Sequence, residues 1–145
     1  MIDVLYMEDD RALVVAVRRL LGPAWQLDCA PSLATGIAMM EKYIYDVVLL
    51  DLGLLDSDGP ETYHSVRDAG YEGPVVVLTG REDAREAAML LLEGAHDVLR
   101  KDGLGNLATV LARAVRQGRL RGPSTTTLES VGAINWAGFM LADKK

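Results

Sequence analysis

Short apolar runs alternate along this chain with segments in which apolar residues recur at helical spacing. Ile2 to Met7 is the first such run, and residues 9–21 follow with apolar side chains three and four positions apart, until Gly22-Pro23 ends the pattern. The alternation then repeats to about residue 120. We predict further strands over 25–30, 46–51, 74–79 and 96–100, and further helices over 32–43, 60–69, 82–93 and 104–120.

Two of the predicted strands are apolar on both faces. Val47 to Leu50 and Val75 to Leu78 contain no polar residue, as expected for strands buried between two layers of helices. Five strand and helix pairs with buried central strands predict an α/β fold, in which helices cover both faces of an open, five-stranded parallel sheet. In such doubly wound folds, ligands bind at the carboxyl ends of the strands.

Polar residues stand at the carboxyl ends of four of the five predicted strands. Asp51 is the central candidate, because it ends an uninterrupted apolar run and a Gly- and Asp-rich segment follows it. The second strand offers only Ala30-Pro31-Ser32, which places it outside a shared site. The candidate site residues are Glu8, Asp9 and Asp10 after the first strand, Asp51 after the third, Thr79 after the fourth and Lys101 after the fifth.

These residue types form a coherent chemical set. Carboxylates gathered at one edge repel each other and bind a hard divalent cation, for which Mg²⁺ is the natural choice. Asp51 could act as a nucleophile toward phosphorus, with Lys101 and Thr79 as donors to the phosphoryl oxygens. Each residue alone also has an ordinary structural interpretation, such as an acid in the first turn of a helix or a threonine cap. Their common position at one edge of the sheet favours the functional interpretation.

Composition and charge limit the classes of partner. Half of the 145 residues are apolar, which is enough for one domain with a packed core. The formal charge of −6 is uneven, because residues 1–118 carry a net charge of −8. Direct binding of nucleic acid is not expected, since it relies on clustered Lys and Arg. No apolar run approaches the roughly 20 residues that span a bilayer, so we expect a cytoplasmic protein without membrane insertion.

Four sequence motifs hold the candidate residues: LYMEDD, VVLLDLGLLDSDG, VVVLTG and GAHDVLRKD. In this combination, and over residues 1 to about 120, the chain resembles the receiver domain of bacterial two-component response regulators. The resemblance implies the flavodoxin-like (βα)5 form of the predicted fold. It also implies a signalling role rather than enzymatic turnover of a substrate, with magnesium-dependent self-phosphorylation and autodephosphorylation as its only chemistry.

The resemblance further assigns roles to individual residues. It implies that Asp51 accepts a phosphoryl group from a sensor histidine kinase or a phosphotransfer protein, and that the phosphorylated domain signals by contact with a downstream protein. The implied Mg²⁺ ligands are Glu8, Asp9, Asp51 and the backbone carbonyl of Gly53, with Thr79 as the switch hydroxyl and Lys101 as the phosphate partner.

Two other functions stay open at this point. One is a receiver-like interaction module that works without phosphorylation. The other, less favoured, is a phosphatase of the haloacid dehalogenase type, which also uses an aspartate at the end of a strand. That family needs a second aspartate two residues later, and here Gly53 stands at that position.

The chain departs from the receiver pattern near its output elements. Val98 stands where an aromatic switch residue is usual, which predicts a different readout of phosphorylation. Asp102 follows Lys101 in place of the usual proline, so we predict no cis peptide there and a carboxylate beside the lysine. Leu55 replaces a common loop proline, a milder change.

The last residues are predicted to lie outside the receiver domain. We place the domain at residues 1–121, and a linker with a tail, possibly helical, at residues 122–145, because Gly122-Pro123-Ser124 breaks the last helix. The last helix or this tail could form a homodimer contact, or the tail could begin a further domain. No helix-turn-helix fits in the residues after the linker begins.

Overall fold

The computed structural model describes residues 1–80 and 84–121 of the chain. Five strands form one parallel sheet, namely β1 (Ile2–Met7), β2 (Trp25–Ala30), β3 (Val47–Asp51), β4 (Val75–Thr79) and β5 (Asp97–Arg100). The helices are α1 (Arg11–Leu21), α2 (Leu33–Lys42), α3 (Pro60–Asp68), α4 (Ala84–Leu92) and α5 (Leu107–Arg121). The strand order β2-β1-β3-β4-β5 confirms the predicted doubly wound parallel sheet.

Side chains on the two faces of the sheet belong to two separate hydrophobic clusters. Along β1, Val4 and Tyr6 pack in a cluster that includes residues of α1 and α5. Leu5 and Met7 point to the other face, into a cluster that includes residues of α3 and α4. Successive side chains of a strand point to opposite faces of the sheet. Because helices cover both faces, the side chains on both faces of the central strands are buried and apolar.

The capping residues set the starts of the first two helices. Asp10 is the N-cap of α1, and its carboxylate accepts hydrogen bonds from the Ala12 and Leu13 N–H groups at 3.0 and 3.2 Å. The helix therefore begins two residues later than the pattern predicted. Ser32 caps α2 as predicted, through the Thr35 N–H at 3.1 Å.

A short hairpin between β3 and α3 was not predicted. Gly53–Leu54 and Ser57–Asp58 pair antiparallel directly after Asp51. The Ser57 hydroxyl lies 2.7 Å from the hydroxyl of Thr62, a fully buried residue of α3. The hairpin gives the segment after Asp51 a defined conformation, although its sequence has the Gly and Asp content of a loop.

Gly36 in α2 is required by a close approach to β1. A Cβ atom at this position would lie 2.5 Å from the Met7 sulfur, and the Met7 side chain is fully buried. Glycine to alanine in a helix normally stabilises by about 1 kcal/mol. Here overpacking of about 1–3 kcal/mol should reverse that sign.

We therefore expect Gly36→Ala to lower the free energy of unfolding by up to about 2 kcal/mol, measured by chemical denaturation. The smaller valine at position 7 should relieve the overlap, so the double variant Gly36→Ala, Met7→Val should lose less than the sum of the single changes. A Gly36→Ala variant as stable as the unchanged chain would contradict this packing.

The predicted domain boundary and the predicted tail are not tested by the structure. The chain divides into one unit over Met1–Val115 and a second from Arg116, and the predicted domain end at residue 121 stays a prediction. The predicted linker, tail helix and tail-mediated homodimer contact lie outside the described residues. Among the helices that are described, none has the length and apolar character needed to cross a bilayer.

Candidate functional site

Three of the predicted carboxylates meet where the strand order reverses. β1 and β3 are neighbours in the sheet but not in sequence, and their carboxyl ends open into the crevice at which doubly wound folds bind ligands. Glu8 and Asp9 follow β1, and Asp51 ends β3. One oxygen from each of these side chains lies within 4.8 Å of the others. We call these three residues the acidic pocket.

Lys101 directly follows the carboxyl end of β5, and its side chain extends into this pocket. Its Nζ lies 3.0 Å from Asp51 Oδ1 and 3.6 Å from Glu8 Oε1. Burial acts to lower the pKa of Lys101, but its hydrogen bonds to Asp51 and Glu8 and their charges together outweigh burial and raise it. The backbone fixes the lysine as well, because its N–H donates to the Thr79 carbonyl at 3.0 Å.

The two oxygens of the buried Asp51 carboxylate differ in their surroundings. Oδ1 accepts from the Gly53 N–H at 3.0 Å and from Lys101. Oδ2 is buried and has no hydrogen-bond partner among the residues that the structure describes. A buried polar oxygen without a partner is costly unless a ligand completes its shell. A cation bound in the acidic pocket would supply this oxygen with a partner.

The electrostatics of Glu8 also favour a bound cation. Its side chain is fully buried, and burial followed by the adjacent Asp51 carboxylate raises the pKa of Glu8 well above its ordinary range. Lys101 and the Asp10 backbone N–H act in the opposite direction without cancelling that shift. Crowded carboxylates and hard oxygen donors are the ligand set that Mg²⁺ takes. The residues present thus fit a divalent cation.

Thr79 and Gly53 lie beside the pocket as predicted from the sequence. Thr79 is buried at the end of β4, one residue beyond Leu78, which pairs with Asp51 across the sheet. Gly53 is exposed, and the contact that it makes with Asp51 is through its N–H. The roles assigned to the Thr79 hydroxyl and the Gly53 carbonyl stay predictions.

The residues that depart from the receiver pattern adopt ordinary structural positions. The Asp102 carboxylate, which stands beside Lys101 in sequence, accepts from Arg100 Nε at 3.0 Å and Nη2 at 2.8 Å. The ammonium group of Lys101 contacts Asp51 and Glu8 in the acidic pocket. No cis peptide bond occurs in the described part of the chain. Val98 is half-buried and packs against the cluster that contains Val77, its partner in the sheet.

Two contacts of the site were missed by the sequence analysis. The Tyr6 hydroxyl donates to Glu8 Oε1 at 3.0 Å, and Asp56 joins the loop after Asp51 to α2. Tyr6 could have been found, because residues two apart in a strand share a face. Asp56 carries no such signal, since its partners lie more than twenty positions earlier in the chain.

Asp56 is expected to stabilise the loop that carries Asp51. Its two carboxylate oxygens accept from the Leu33 N–H at 2.9 Å and the Ala34 N–H at 3.0 Å, at the start of α2. These two hydrogen bonds lower the pKa of Asp56. Asp56→Ala should then cost about 1 kcal/mol of unfolding free energy at neutral pH, as loss of a helix cap does. Asp68→Ala, which removes an exposed acid of α3, is the matched control.

The pH dependence of this contribution has a defined sign. Because the folded-state pKa of Asp56 lies below the unfolded one, its contribution is present above about pH 4 and is lost as pH falls through the folded-state value. Denaturation curves of both variants and the unchanged chain across this range test it. An Asp56→Ala difference that grows on acidification would contradict the assignment.

Comparisons with known proteins agree with this geometry. The chain matches the response regulator receiver domain family over residues 4–112. It is 34% identical over 119 residues to the KDP operon transcriptional regulatory protein KdpE of Escherichia coli, covering 81% of this chain and 52% of the relative. It is 34% identical over 98 residues to the transcriptional regulatory protein PmrA of Pectobacterium parmentieri, covering 67% and 44%. The chain thus spans about half the length of these relatives.

Solved structures with the same fold include receiver domains of low sequence identity. A response regulator receiver domain protein from Clostridium thermocellum gives a TM-score of 0.74 at 22% identity, covering 83% of this chain and 99% of that one. The beryllofluoride-activated receiver domain of Klebsiella pneumoniae RstA gives 0.72 at 25% identity, covering 79% and 99%. Together with the family match over most of the chain, they lead to one conclusion. This chain belongs to the response regulator receiver domain family.

Proposed function

We propose that Asp51 accepts a phosphoryl group from a sensor histidine kinase or a phosphotransfer protein. The observation that carries this proposal is the difference in surroundings between the two oxygens of the Asp51 carboxylate. One oxygen is held by Lys101 at 3.0 Å, and the other is buried in the acidic pocket without a partner among the described residues. A nucleophilic oxygen, a cation site and a lysine then lie together, as phosphoryl transfer requires.

The transfer step involves one bond formed and one bond broken. A carboxylate oxygen of Asp51 attacks phosphorus, and the bond between phosphorus and the imidazole nitrogen of the donor breaks. The electron pair of that bond stays on the imidazole nitrogen, which then takes a proton from solvent. Asp51 is left as an acyl phosphate, whose oxygens Lys101 and Thr79 would contact.

The residues expected to hold Mg²⁺ are Glu8, Asp9, Asp51 and the Gly53 carbonyl. When bound, the cation neutralises negative charge on the transferring phosphoryl group. The protein residues supply the rest: Glu8 and Asp9 bring the ligand charge, and Lys101 keeps the Asp51 side chain oriented. This arrangement is supported by the Asp51 oxygen that lacks a partner among the described residues, and by the crowding that raises the pKa of Glu8.

The signal is proposed to pass to a downstream protein through the surface near Thr79. A phosphoryl group on Asp51 would attract the Thr79 hydroxyl and so shift the surface that α4, β5 and α5 form. Val98 in β5 offers a small, half-buried side chain in place of an aromatic ring, so the change would spread by packing and not by ring rotation. The relatives are transcriptional regulators, and this chain spans about half of each.

Incubation with acetyl phosphate tests the proposal without knowledge of the kinase. Intact-mass measurement should show a gain of one phosphoryl group in the presence of Mg²⁺ and none after its removal with EDTA. Beryllofluoride is a second probe, since a related receiver domain has been captured in a form that it activates. It should stabilise this chain against heating only when Mg²⁺ is present.

The two alternative functions predict different results in the same experiment. Repeated turnover of a phosphate ester, without an accumulated phosphoprotein, would support a phosphatase of the haloacid dehalogenase type. The absence of both mass gain and beryllofluoride binding, with the fold intact, would support an interaction module that works without phosphorylation. Either result would overturn the proposed phosphoacceptor role.

A further inference from the structure

Tyr6 is a buried side chain of β1 that touches the acidic pocket from inside the core. We propose that Tyr6 is a positioning residue, whose hydroxyl holds Glu8 in the geometry in which that carboxylate binds a divalent cation. The inference rests on the proposed cation site, in which Tyr6 is not itself a ligand. Tyr6 contacts the cation only through Glu8.

The strand brings the two side chains together. Tyr6 is the last but one residue of β1, and Glu8 directly follows the strand two positions later, where the alternation of β1 would direct its side chain to the face of Tyr6. The Tyr6 hydroxyl donates to Glu8 Oε1 at 3.0 Å. The ring is fully buried among the apolar residues that α1 and α5 place on this face, including Val17 and Leu111. A ring locked by packing presents its hydroxyl in a fixed direction.

The Tyr6 hydroxyl lies closer to the Glu8 carboxylate than Lys101 or the Asp10 N–H does. Oε1 also lies 3.6 Å from Lys101 Nζ, and Oε2 accepts from the Asp10 N–H at 3.3 Å. Lys101 is the phosphate partner in the proposed mechanism, so its contact with Glu8 should weaken once Asp51 is phosphorylated. Tyr6 is then the side chain that keeps Glu8 in place during the phosphorylated state.

The phenol is suited to this role because it stays a donor. A tyrosine hydroxyl is protonated at neutral pH, so it can donate to the Glu8 carboxylate. Hydrogen bonds from a second layer of residues fix the orientation of metal ligands, and their removal typically weakens metal binding by about 10–100-fold. Metal affinity falls because a carboxylate that is free to adopt several conformations loses that freedom when the cation binds.

Tyr6→Phe removes the hydroxyl and keeps the ring that fills the core. Calorimetric titration of the full chain with Mg²⁺ should give a dissociation constant about tenfold higher for Tyr6→Phe than for the unchanged chain. Tyr45→Phe is the matched control, because this buried phenol donates to Asp28 at 2.8 Å, near the opposite end of β3. Its Mg²⁺ affinity should stay unchanged.

A double variant separates an action through Glu8 from a general loss of packing. If Tyr6 acts through Glu8, Tyr6→Phe should have no further effect on the weakened Mg²⁺ affinity of Glu8→Ala, which has no side-chain acceptor for the Tyr6 hydroxyl. A packing defect would weaken binding equally in both backgrounds, and that result would overturn the inference. Mg²⁺ affinity within about twofold of the unchanged chain in Tyr6→Phe would overturn it as well.

A measurement on the unchanged sequence avoids dependence on a variant that folds. With tyrosine labelled with ¹³C at the ring carbon that bears the hydroxyl, saturation with Mg²⁺ should shift the Tyr6 signal and leave the Tyr45 signal in place. No shift at Tyr6 in a chain that binds Mg²⁺ would remove the Tyr6 role alone. No Mg²⁺ binding by the unchanged chain would instead overturn the proposed cation site, and the inference with it.

Discussion

Replacing Asp51 by Asn is expected to abolish phosphorylation of the chain by acetyl phosphate. The amide oxygen is a far weaker nucleophile than a carboxylate, whereas the size of the side chain hardly changes. The amide oxygen of the variant can still accept from Lys101 and from the Gly53 N–H, which both lie 3.0 Å from Asp51 Oδ1, so the fold should be kept. Intact-mass spectra should show no phosphorylated species at a time when the unchanged chain is fully modified.

The control for this change is Asp68→Asn, which removes an exposed carboxylate of α3 away from the strand ends. It should be phosphorylated at the rate of the unchanged chain. Circular dichroism of both variants checks that the fold is retained. A mass gain in Asp51→Asn equal to that of the control would contradict the central role of Asp51, because another carboxylate would then be the acceptor.

Replacing Glu8 by Gln is expected to raise the stability of the chain without Mg²⁺ and to weaken the binding of Mg²⁺. Without Mg²⁺, a neutral amide at position 8 removes the repulsion between two buried carboxylates. The amide N–H₂ could donate to Asp51 Oδ2, which lacks a partner among the described residues, and the amide oxygen could accept from Tyr6. We expect the free energy of unfolding in EDTA to rise by about 1 kcal/mol.

The same variant should lose the response to Mg²⁺. Stabilisation by a ligand grows with its affinity for the folded state, so the midpoint of thermal unfolding should rise with Mg²⁺ in the unchanged chain and hardly move in Glu8→Gln. Glu41→Gln, at an exposed position of α2, is the matched control and should respond like the unchanged chain. An undiminished Mg²⁺ response in Glu8→Gln would exclude Glu8 as a ligand.

The sheet and its buried strands could be predicted because each signal is local. An uninterrupted apolar run such as Val47 to Leu50 marks a central strand, and the residue that follows it marks the edge where ligands bind. Caps such as Ser32 are also visible in sequence. For this reason the positions of Glu8, Asp9 and Asp51 at one edge of the sheet could be predicted from the ends of the strands.

The contacts that were missed at Asp56 and Asp102 are side-chain hydrogen bonds whose partner cannot be chosen from the sequence. The partner is either far away along the chain or one of two neighbouring cations. Asp56 bonds the start of α2, which only the folded loop brings within reach. Asp102 follows two cationic residues, Arg100 and Lys101, and pairs with Arg100 while Lys101 contacts Asp51 in the acidic pocket. A sequence pattern fixes which residues lie at one edge, but the direction of each side chain depends on the packing around it.

The most direct test of the account is to locate the phosphoryl group itself. After phosphorylation by acetyl phosphate, borohydride reduces an aspartyl phosphate to homoserine, and tandem mass spectrometry of the resulting peptides shows which residue has changed. We predict homoserine at position 51 in the Mg²⁺-treated sample, and an unmodified Asp51 in the EDTA sample. Homoserine at position 9 or in place of another carboxylate, with Asp51 unmodified in both samples, would contradict the account.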